Sequence, residues 1–192
     1  MKPGIVVWLA AIAIRALPAQ QSPRPIAIVI ETSLGSIEAE LDSAHAPVTV
    51  ANFLRYVDAK RFDGGNFFRS VTLSNQPNDS VKIEVIQGRA AAGTAAFPSI
   101  ALEPTSVTGL RHHDGTLSMA RAGPNTATNQ FFITIGEQPQ LDFGGHRNPD
   151  GQGFAAFGRV TSGLEVVRRI QTQPVNAQTI VAPVTILRVA RR

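Results

Sequence analysis

Gly115-Thr116-Leu117-Ser118-Met119-Ala120 and Gln130-Phe131-Phe132-Ile133-Thr134-Ile135 decide how this chain is read, together with the segment between them, Arg121-Ala122-Gly123-Pro124-Asn125-Thr126-Ala127-Thr128-Asn129. The outer pieces are short apolar runs suited to strands, and the middle is a loop built around Gly-Pro-Asn. No Cys, His, Asp or Glu lies anywhere in the stretch. A site lined by it binds with flat apolar faces and amide groups and does not attack with a nucleophile. Neighbours on a strand point to opposite faces. Phe131 therefore reads as core, and Phe132 faces the other way.

Outward from this stretch, the pattern is one of many short strands and few helices. Ile26, Ile28 and Ile30 alternate with Ala27, Val29 and Glu31, and Ile37, Ala39 and Leu41 alternate with Glu38, Glu40 and Asp42. With Gly35 in the link, this predicts a hairpin with one apolar face. Pro47 suits the first turn of a helix, and Val50, Phe53, Leu54 and Val57 follow at helical spacing. A second helix is expected from Ser162, with Glu165 completing a capping box and Leu164, Val167 and Ile170 as its buried stripe. Strands are expected over 67–71, 83–87, 115–120, 131–135, 154–161 and 180–189, with Pro183 near the start of the last or on an edge. Sixteen Gly and thirteen Pro in 192 residues fit so many turns. Short strands with two helices predict a mainly β fold, a closed or nearly closed barrel with helices over its ends.

The first residues read differently. Lys2 precedes an apolar run over 5–14, and Ala16-Leu17-Pro18-Ala19 follows Arg15. A basic start, a short apolar segment and small residues at the cut predict a signal peptide over 1–19, cleaved after Ala19, and so a periplasmic or secreted protein. The run is too short for a membrane anchor, because a spanning helix needs about 20 residues. Residues 20–25 form a polar linker and 26–192 one domain, long enough for a sizeable core. The formal charge of +4 falls to +2 without Lys2 and Arg15. No basic face interleaved with aromatics points to nucleic acid. There is no cysteine, so neither a disulfide nor a lipidated cysteine is available. His112 and His113 are adjacent, which faces them apart on a strand and makes poor metal geometry.

Several pieces together resemble one family, the cyclophilins, in their bacterial form. They are Phe67-Phe68-Arg69, Val85-Ile86-Gln87-Gly88, the whole of 115–133, Phe154-Ala155-Ala156-Phe157-Gly158-Arg159-Val160, and Gly163-Leu164-Glu165-Val166-Val167. The resemblance runs from about Ile26 to the C-terminus. It implies an eight-stranded antiparallel closed β-barrel capped by two α-helices, with a proline pocket on its outer face. It also implies peptidyl-prolyl cis/trans isomerisation of proline-containing segments of unfolded or partly folded proteins, by a monomer that needs no cofactor and no metal. Arg69 matches the family's catalytic arginine. Phe132 matches the aromatic pocket floor, Leu141 and Phe154 the walls, and Val85 a further wall. Gln87 and the backbone beside Ala120 and Arg121 match the groups that grip the substrate backbone. Gln130 is expected to orient Arg69 or the pocket loop. His112 matches a position where the family often has a structural histidine.

Four places depart from that pattern. Glu84 and Val85 stand where an aromatic and a Met usually precede the glutamine. Gln140 replaces the usual aromatic before Leu141. The link 72–82 is longer than typical, and the Gly-rich loop 143–153 also looks inserted. Glu84 either pairs with Arg69 or faces solvent. These departures keep a second reading open: a non-catalytic module of the same fold that binds proline-containing peptides.

Overall fold

The structure, a computed structural model, describes residues 24–77 and 80–192. The expected signal peptide and most of the expected linker lie outside the described residues. Ile26–Thr32 (β1) and Gly35–Leu41 (β2) form the predicted hairpin, with Ile28, Ile30, Ile37, Ala39 and Leu41 turned to one buried face. Helix α1 covers Pro47–Asp58. Asn66–Val71 (β3), Val85–Arg89 (β4), Thr116–Met119 (β5), Gln130–Thr134 (β6) and Ala155–Ser162 (β7) follow, with a one-turn helix α2 at Thr105–Thr108. Helix α3 spans Leu164–Gln171. Val175–Asn176 (β8) and Thr179–Arg191 (β9) end the chain.

Among the described residues, eight strands pair antiparallel in the order β1-β2-β7-β5-β6-β4-β3-β9, and β9 returns to β1. The sheet thus closes into a barrel, with β8 as a two-residue appendage on β9. Closure removes exposed sheet edges. Phe53 of α1 packs inside this barrel against Phe131 and Phe157, with ring centroids 5.4 and 5.2 Å apart. Aromatic pairs at such distances add about 0.5–1.5 kcal/mol beyond area burial. Gly88 is small for a reason: a Cβ there would stand 2.9 Å from Phe131 and 3.1 Å from Phe67.

The observed elements depart from the predicted ones at three places. The second helix begins at Leu164, not Ser162, and carries no side-chain cap. Ser162 pairs with Glu38 in the β2–β7 ladder, and Gly163, at φ 89°, turns the chain into the helix instead. Its buried positions are Val166, Val167 and Ile170, while Leu164 is half-buried. The strand expected at 83–87 is shifted to begin at Val85. Ile83 is held by a side chain instead, its N–H donating to Gln76 Oε1 (3.3 Å) and its carbonyl accepting from Gln76 Nε2 (2.7 Å). Pro183 lies within β9, not at its start. The register jumps from Thr179 opposite Arg69 to Val184 opposite Phe67, so the proline falls in a bulge where no ladder N–H is required.

Helix α1 has no cap from its own N-terminal residue Ala46. Glu103 supplies one from far along the chain: its carboxylate accepts from Val48 N–H (3.0 Å), Thr49 N–H (2.7 Å) and Thr49 Oγ1 (2.6 Å). A carboxylate suits the unpaired N–H groups and positive end of a helix dipole.

Candidate active site

One rung of the sheet carries half of the site. Arg69 on β3 pairs with Gln87 on β4, Gln87 with Phe132 on β6, and Phe132 with Ser118 on β5. Residues directly opposite across antiparallel strands project from the same face. The row Arg69–Gln87–Phe132–Ser118 therefore lies on the outside of the barrel, while Phe131, Leu117 and Met119 fill its interior. Val85 and Gln130 stand two residues from Gln87 and Phe132 and share that outer face.

A second apolar cluster grows there, separate from the barrel core: Val71, Ile83, Val85, Phe132 and Leu141, with Ala120 and Phe154 against it. It surrounds a cavity of about 110 Å³. Arg69, Val85, Gln87, Ala120, Arg121, Phe132, Leu141 and Phe154 all line it, as do Ile83 and Arg147. Of the site residues expected from sequence, Gln130 alone stands back from the cavity wall. Phe154 meets Phe132 edge-on at 5.2 Å and 88°, making a right-angled apolar corner.

The guanidinium of Arg69 lies between two amides. Its Nη1 donates to Gln87 Oε1 (3.0 Å), and its Nε (3.0 Å) and Nη2 (2.5 Å) donate to Gln178 Oε1. A guanidinium only donates, so Gln87 must turn its oxygen to Arg69 and its amino group away. That amino group donates to Gln130 Oε1 (2.8 Å), which places Gln130 behind Gln87 in one chain of hydrogen bonds. Glu84 takes neither of its two expected places squarely. It is half-buried, it accepts from Gln171 Nε2 (3.2 Å), and among the described residues no ion pair joins it to Arg69.

The other half of the site rests on loops. Leu141 ends a 3₁₀ turn at Pro139–Leu141, and its carbonyl accepts from Phe154 N–H (2.9 Å). Arg121 turns its side chain inward, 2% exposed, and grips the loop 143–153. It donates to both oxygens of Asp150 (2.7 and 2.8 Å) and from Nε to the Gly153 carbonyl (2.8 Å). These bonds hold the Asp150 carboxyl down at about 2, with the Arg121 hydrogen bond the largest cause. Gly153, at φ 63°, passes so close to Leu141 and Asp142 that a Cβ would lie 2.5 Å from their backbone. Gln140 ties down the same loop, its Oε1 accepting from His146 N–H (3.0 Å) and its carbonyl from Arg147 N–H (3.2 Å). Arg147 then reaches across the pocket mouth and donates to the Val81 carbonyl (2.8 Å), joining the two long loops. Ala120 donates its N–H to the Gln130 carbonyl (3.0 Å), so a peptide laid along it as an extra strand meets its carbonyl.

Behind the floor, His112 is buried and stacks on Phe132 at 6.0 Å. Its Nδ1 bonds to Asp142 Oδ1 (2.7 Å) and its Nε2 to Ser118 Oγ (2.9 Å). Burial pushes the Asp142 carboxyl up, but hydrogen bonds and charge from His112, with Arg111, more than offset this and hold it below the usual range. Ser118 is wholly buried, so this Ser-His-Asp line supports the floor and offers no nucleophile to a ligand. His113 points outward to Glu137, as expected for adjacent histidines.

A wider cleft of about 660 Å³ lies elsewhere, lined by Glu40, Asp42, Arg111, His113, Asp114 and Arg159 among others. It is larger but less suited to chemistry, since Arg159–Glu40, Arg111–Asp142 and Arg168–Asp114 ion pairs already occupy its charges. Among the described residues no group of His, Cys, Asp and Glu is placed to hold a metal ion, and no helix is long and apolar enough to cross a membrane.

Gln178, Arg147 and the wall formed by Ile83 are not among the site residues expected from sequence. Arg147 and Ile83 left one trace, the unusual length of the loops they border. Gln178 left none.

This barrel, with an arginine and an apolar corner on its outer face, has known counterparts. The family described as cyclophilin type peptidyl-prolyl cis-trans isomerase/CLD matches residues 27–191. The chain belongs to that family. Peptidyl-prolyl cis-trans isomerase-like 1 of Gibberella zeae is 38% identical over 144 residues, covering 74% of this chain and 80% of that protein. Peptidyl-prolyl cis-trans isomerase cyp18 of Streptomyces antibioticus is 34% identical over 145 residues, covering 75% and 82%. Relatives of similar identity thus come from fungi and from bacteria, and the likeness does not single out the bacterial form. The crystal structure of a Cryptosporidium parvum cyclophilin type isomerase superposes with a TM-score of 0.71 at 22% identity, covering 88% of this chain and 98% of that one. A second structure of that protein was determined in the presence of the dipeptide Ala-Pro.

Proposed function

We propose that this chain catalyses rotation about X-Pro peptide bonds, with Arg69 as the catalytic donor and Phe132, Leu141, Phe154 and Val85 as the seat of the proline ring. The single observation that carries this reading is the rung that sets Arg69, Gln87 and Phe132 side by side over one small apolar cavity. Peptide-bond rotation faces a barrier of about 18–20 kcal/mol because the nitrogen lone pair is delocalised. X-Pro bonds populate both isomers yet exchange over tens to hundreds of seconds. In the twisted state the lone pair localises on the proline nitrogen. A fixed donor aimed at it stabilises that state more than either planar one. A guanidinium stays charged at every working pH, and its planar fork is held by Gln87 and Gln178. Gln87 and the Ala120 carbonyl grip the backbone on either side of the proline.

Arg69→Ala is expected to lower kcat/KM on an Ala-Pro peptide about 100-fold, the scale for removing one preorganised donor. Its melting temperature should stay near that of the parent. Unchanged turnover in this variant overturns the role of Arg69. The binding-module reading, favoured by the two long loops bridged over the pocket, predicts instead that the parent chain binds the peptide with no rate acceleration at all.

We further propose that residues 1–19 direct export, that the mature monomer assists folding of exported proteins, and that the chain is of the bacterial type. The support is the basic, apolar and small-residue order of the first nineteen residues. Mass spectrometry of protein recovered from the periplasm or medium should find Gln20 as the first residue. An intact Met1 there rules the cleavage out.

A further inference from the structure

Gln178 belongs to none of the motifs that identify the family in this chain, yet it makes two of the Arg69 hydrogen bonds described above. Its Oε1 accepts from both Nε and Nη2 on one edge of the guanidinium, while Gln87 takes Nη1 from the other side. Three donors held by two acceptors fix both the position and the plane of the group.

Gln178 is itself fixed. Its Nε2 donates to the Asn75 carbonyl (3.3 Å), and its own carbonyl accepts from Ser70 N–H (2.9 Å), next to Arg69 on β3. Asn75 in turn accepts from Thr72 N–H and donates to the Ser70 carbonyl, which anchors the start of the long 72–82 loop. The turn that presents Gln178 also bears a mark of constraint. Asn176 pairs with Thr179, leaving Ala177 and Gln178 as a two-residue hairpin loop. Ala177 sits at φ 55°, a left-handed conformation that its Cβ disfavours. Such conformations persist only where surrounding contacts hold them, and they gather at functional sites.

We propose that Gln178 is a positioning residue for the isomerase reaction, holding the Arg69 guanidinium in the plane from which it donates to the proline nitrogen. The inference rests on the reading of Arg69 as the catalytic donor. The chemistry required at position 178 is an acceptor at the reach of a glutamine side chain. Glutamate meets that requirement; alanine and lysine do not, the first having no acceptor and the second only donors.

The test uses the mature chain and an Ala-Pro peptide, with isomerisation followed by NMR exchange so that no coupling protease is needed. Gln178→Ala should lower kcat about 10-fold with KM within about twofold, since binding contacts stay in place and only the orientation of the donor is lost. The Arg69 Nε–H resonance should lose its protection from exchange with water in the same variant. Gln178→Glu should restore both the protected resonance and at least about a third of the parental kcat. Gln178→Lys should restore neither. Parental kcat in Gln178→Ala overturns the proposal, and so does equal impairment of the Ala and Glu variants, which would mark a role in the turn alone. A parent chain that does not accelerate isomerisation overturns the isomerase reading instead. The Arg69 Nε–H signal would still report in that case whether Gln178 holds the guanidinium.

Discussion

The two halves of the site are built on different principles. The strand-borne half, Arg69, Gln87, Phe132 and Val85, is set by sheet register, because each residue occupies a fixed rung on the outer face of a closed barrel. The loop-borne half, Leu141, Phe154, Ile83 and Arg147, is set by side-chain clamps: Arg121 on Asp150 and Gly153, Gln140 on His146, Arg147 on Val81, and Gln76 on Ile83. A register cannot slip by one residue without turning a whole strand inside out. A clamp is lost with one side chain. The proposed donor, Arg69, therefore sits on the half set by register, and the shape of the pocket mouth depends on the half that single substitutions can reset.

Four substitutions press on this contrast. The largest effect expected is the roughly 100-fold loss in Arg69→Ala with the fold retained, because the donor is removed while the rung that carried it stays. Next comes the loop clamp. Arg121→Met keeps the bulk of the side chain but removes the charged donor, leaving the Gly153 carbonyl only Asn148 Nδ2 (3.3 Å) and Asp150 only the Gln152 N–H (2.9 Å). It should cut kcat/KM about 10-fold, through KM more than kcat, as the Leu141–Phe154 wall loosens around an intact rung. A loss confined to kcat would show that the clamp acts on Arg69 after all and would erase the distinction between the halves.

Acid should act on the loop half in a smaller and graded way. The Asp150 carboxyl is held at about 2, below its ordinary range, so its stabilising contribution is complete above the ordinary carboxylate range and lost as pH falls through about 2. Protection of the 143–153 amides, measured against the intrinsic exchange rate at each pH, should therefore fall between about pH 4 and pH 2 in the parent chain. In Asp150→Asn it should be low already at pH 7 and change less over that interval. Identical profiles would show that the ion pair does not hold the loop. The smallest effect on the site is expected from Glu103→Ala. Loss of the carboxylate that caps α1 should cost about 2 kcal/mol, or roughly 4–8 °C in Tm. Turnover below that melting temperature should be unaffected, because the cap touches neither half.

The difference between the halves also explains which features are legible in the sequence. Alternation alone makes Phe131 interior and Phe132 exterior, and the same period-2 logic finds the β1–β2 hairpin. The seat of Glu84 is not legible, because whether a carboxylate turns to Arg69 or to Gln171 depends on where α3 docks. The capping box at Ser162 fails for a related reason. A local signal competes with a ladder bond to β2, more than a hundred residues earlier in the chain, and the ladder wins. Gln140 reads as the loss of an aromatic wall, whereas in the structure its amide and carbonyl serve the loop that replaces part of that wall.

Sequence alone is enough for the mainly β fold, the two long helices, the family, and the residue types of the strand-borne half. Hydrophobic period, turn residues and short motifs are local, and they keep their meaning without knowledge of partners. Three contacts come from tertiary structure alone: Gln178 meets Arg69 from 109 positions away, Glu103 caps a helix 54 residues before it, and Arg147 bridges the two long loops. Those contacts depend on the closure of the barrel and on the paths of its loops. A polar side chain gives no sign of its partner until closure brings the two within hydrogen-bonding distance.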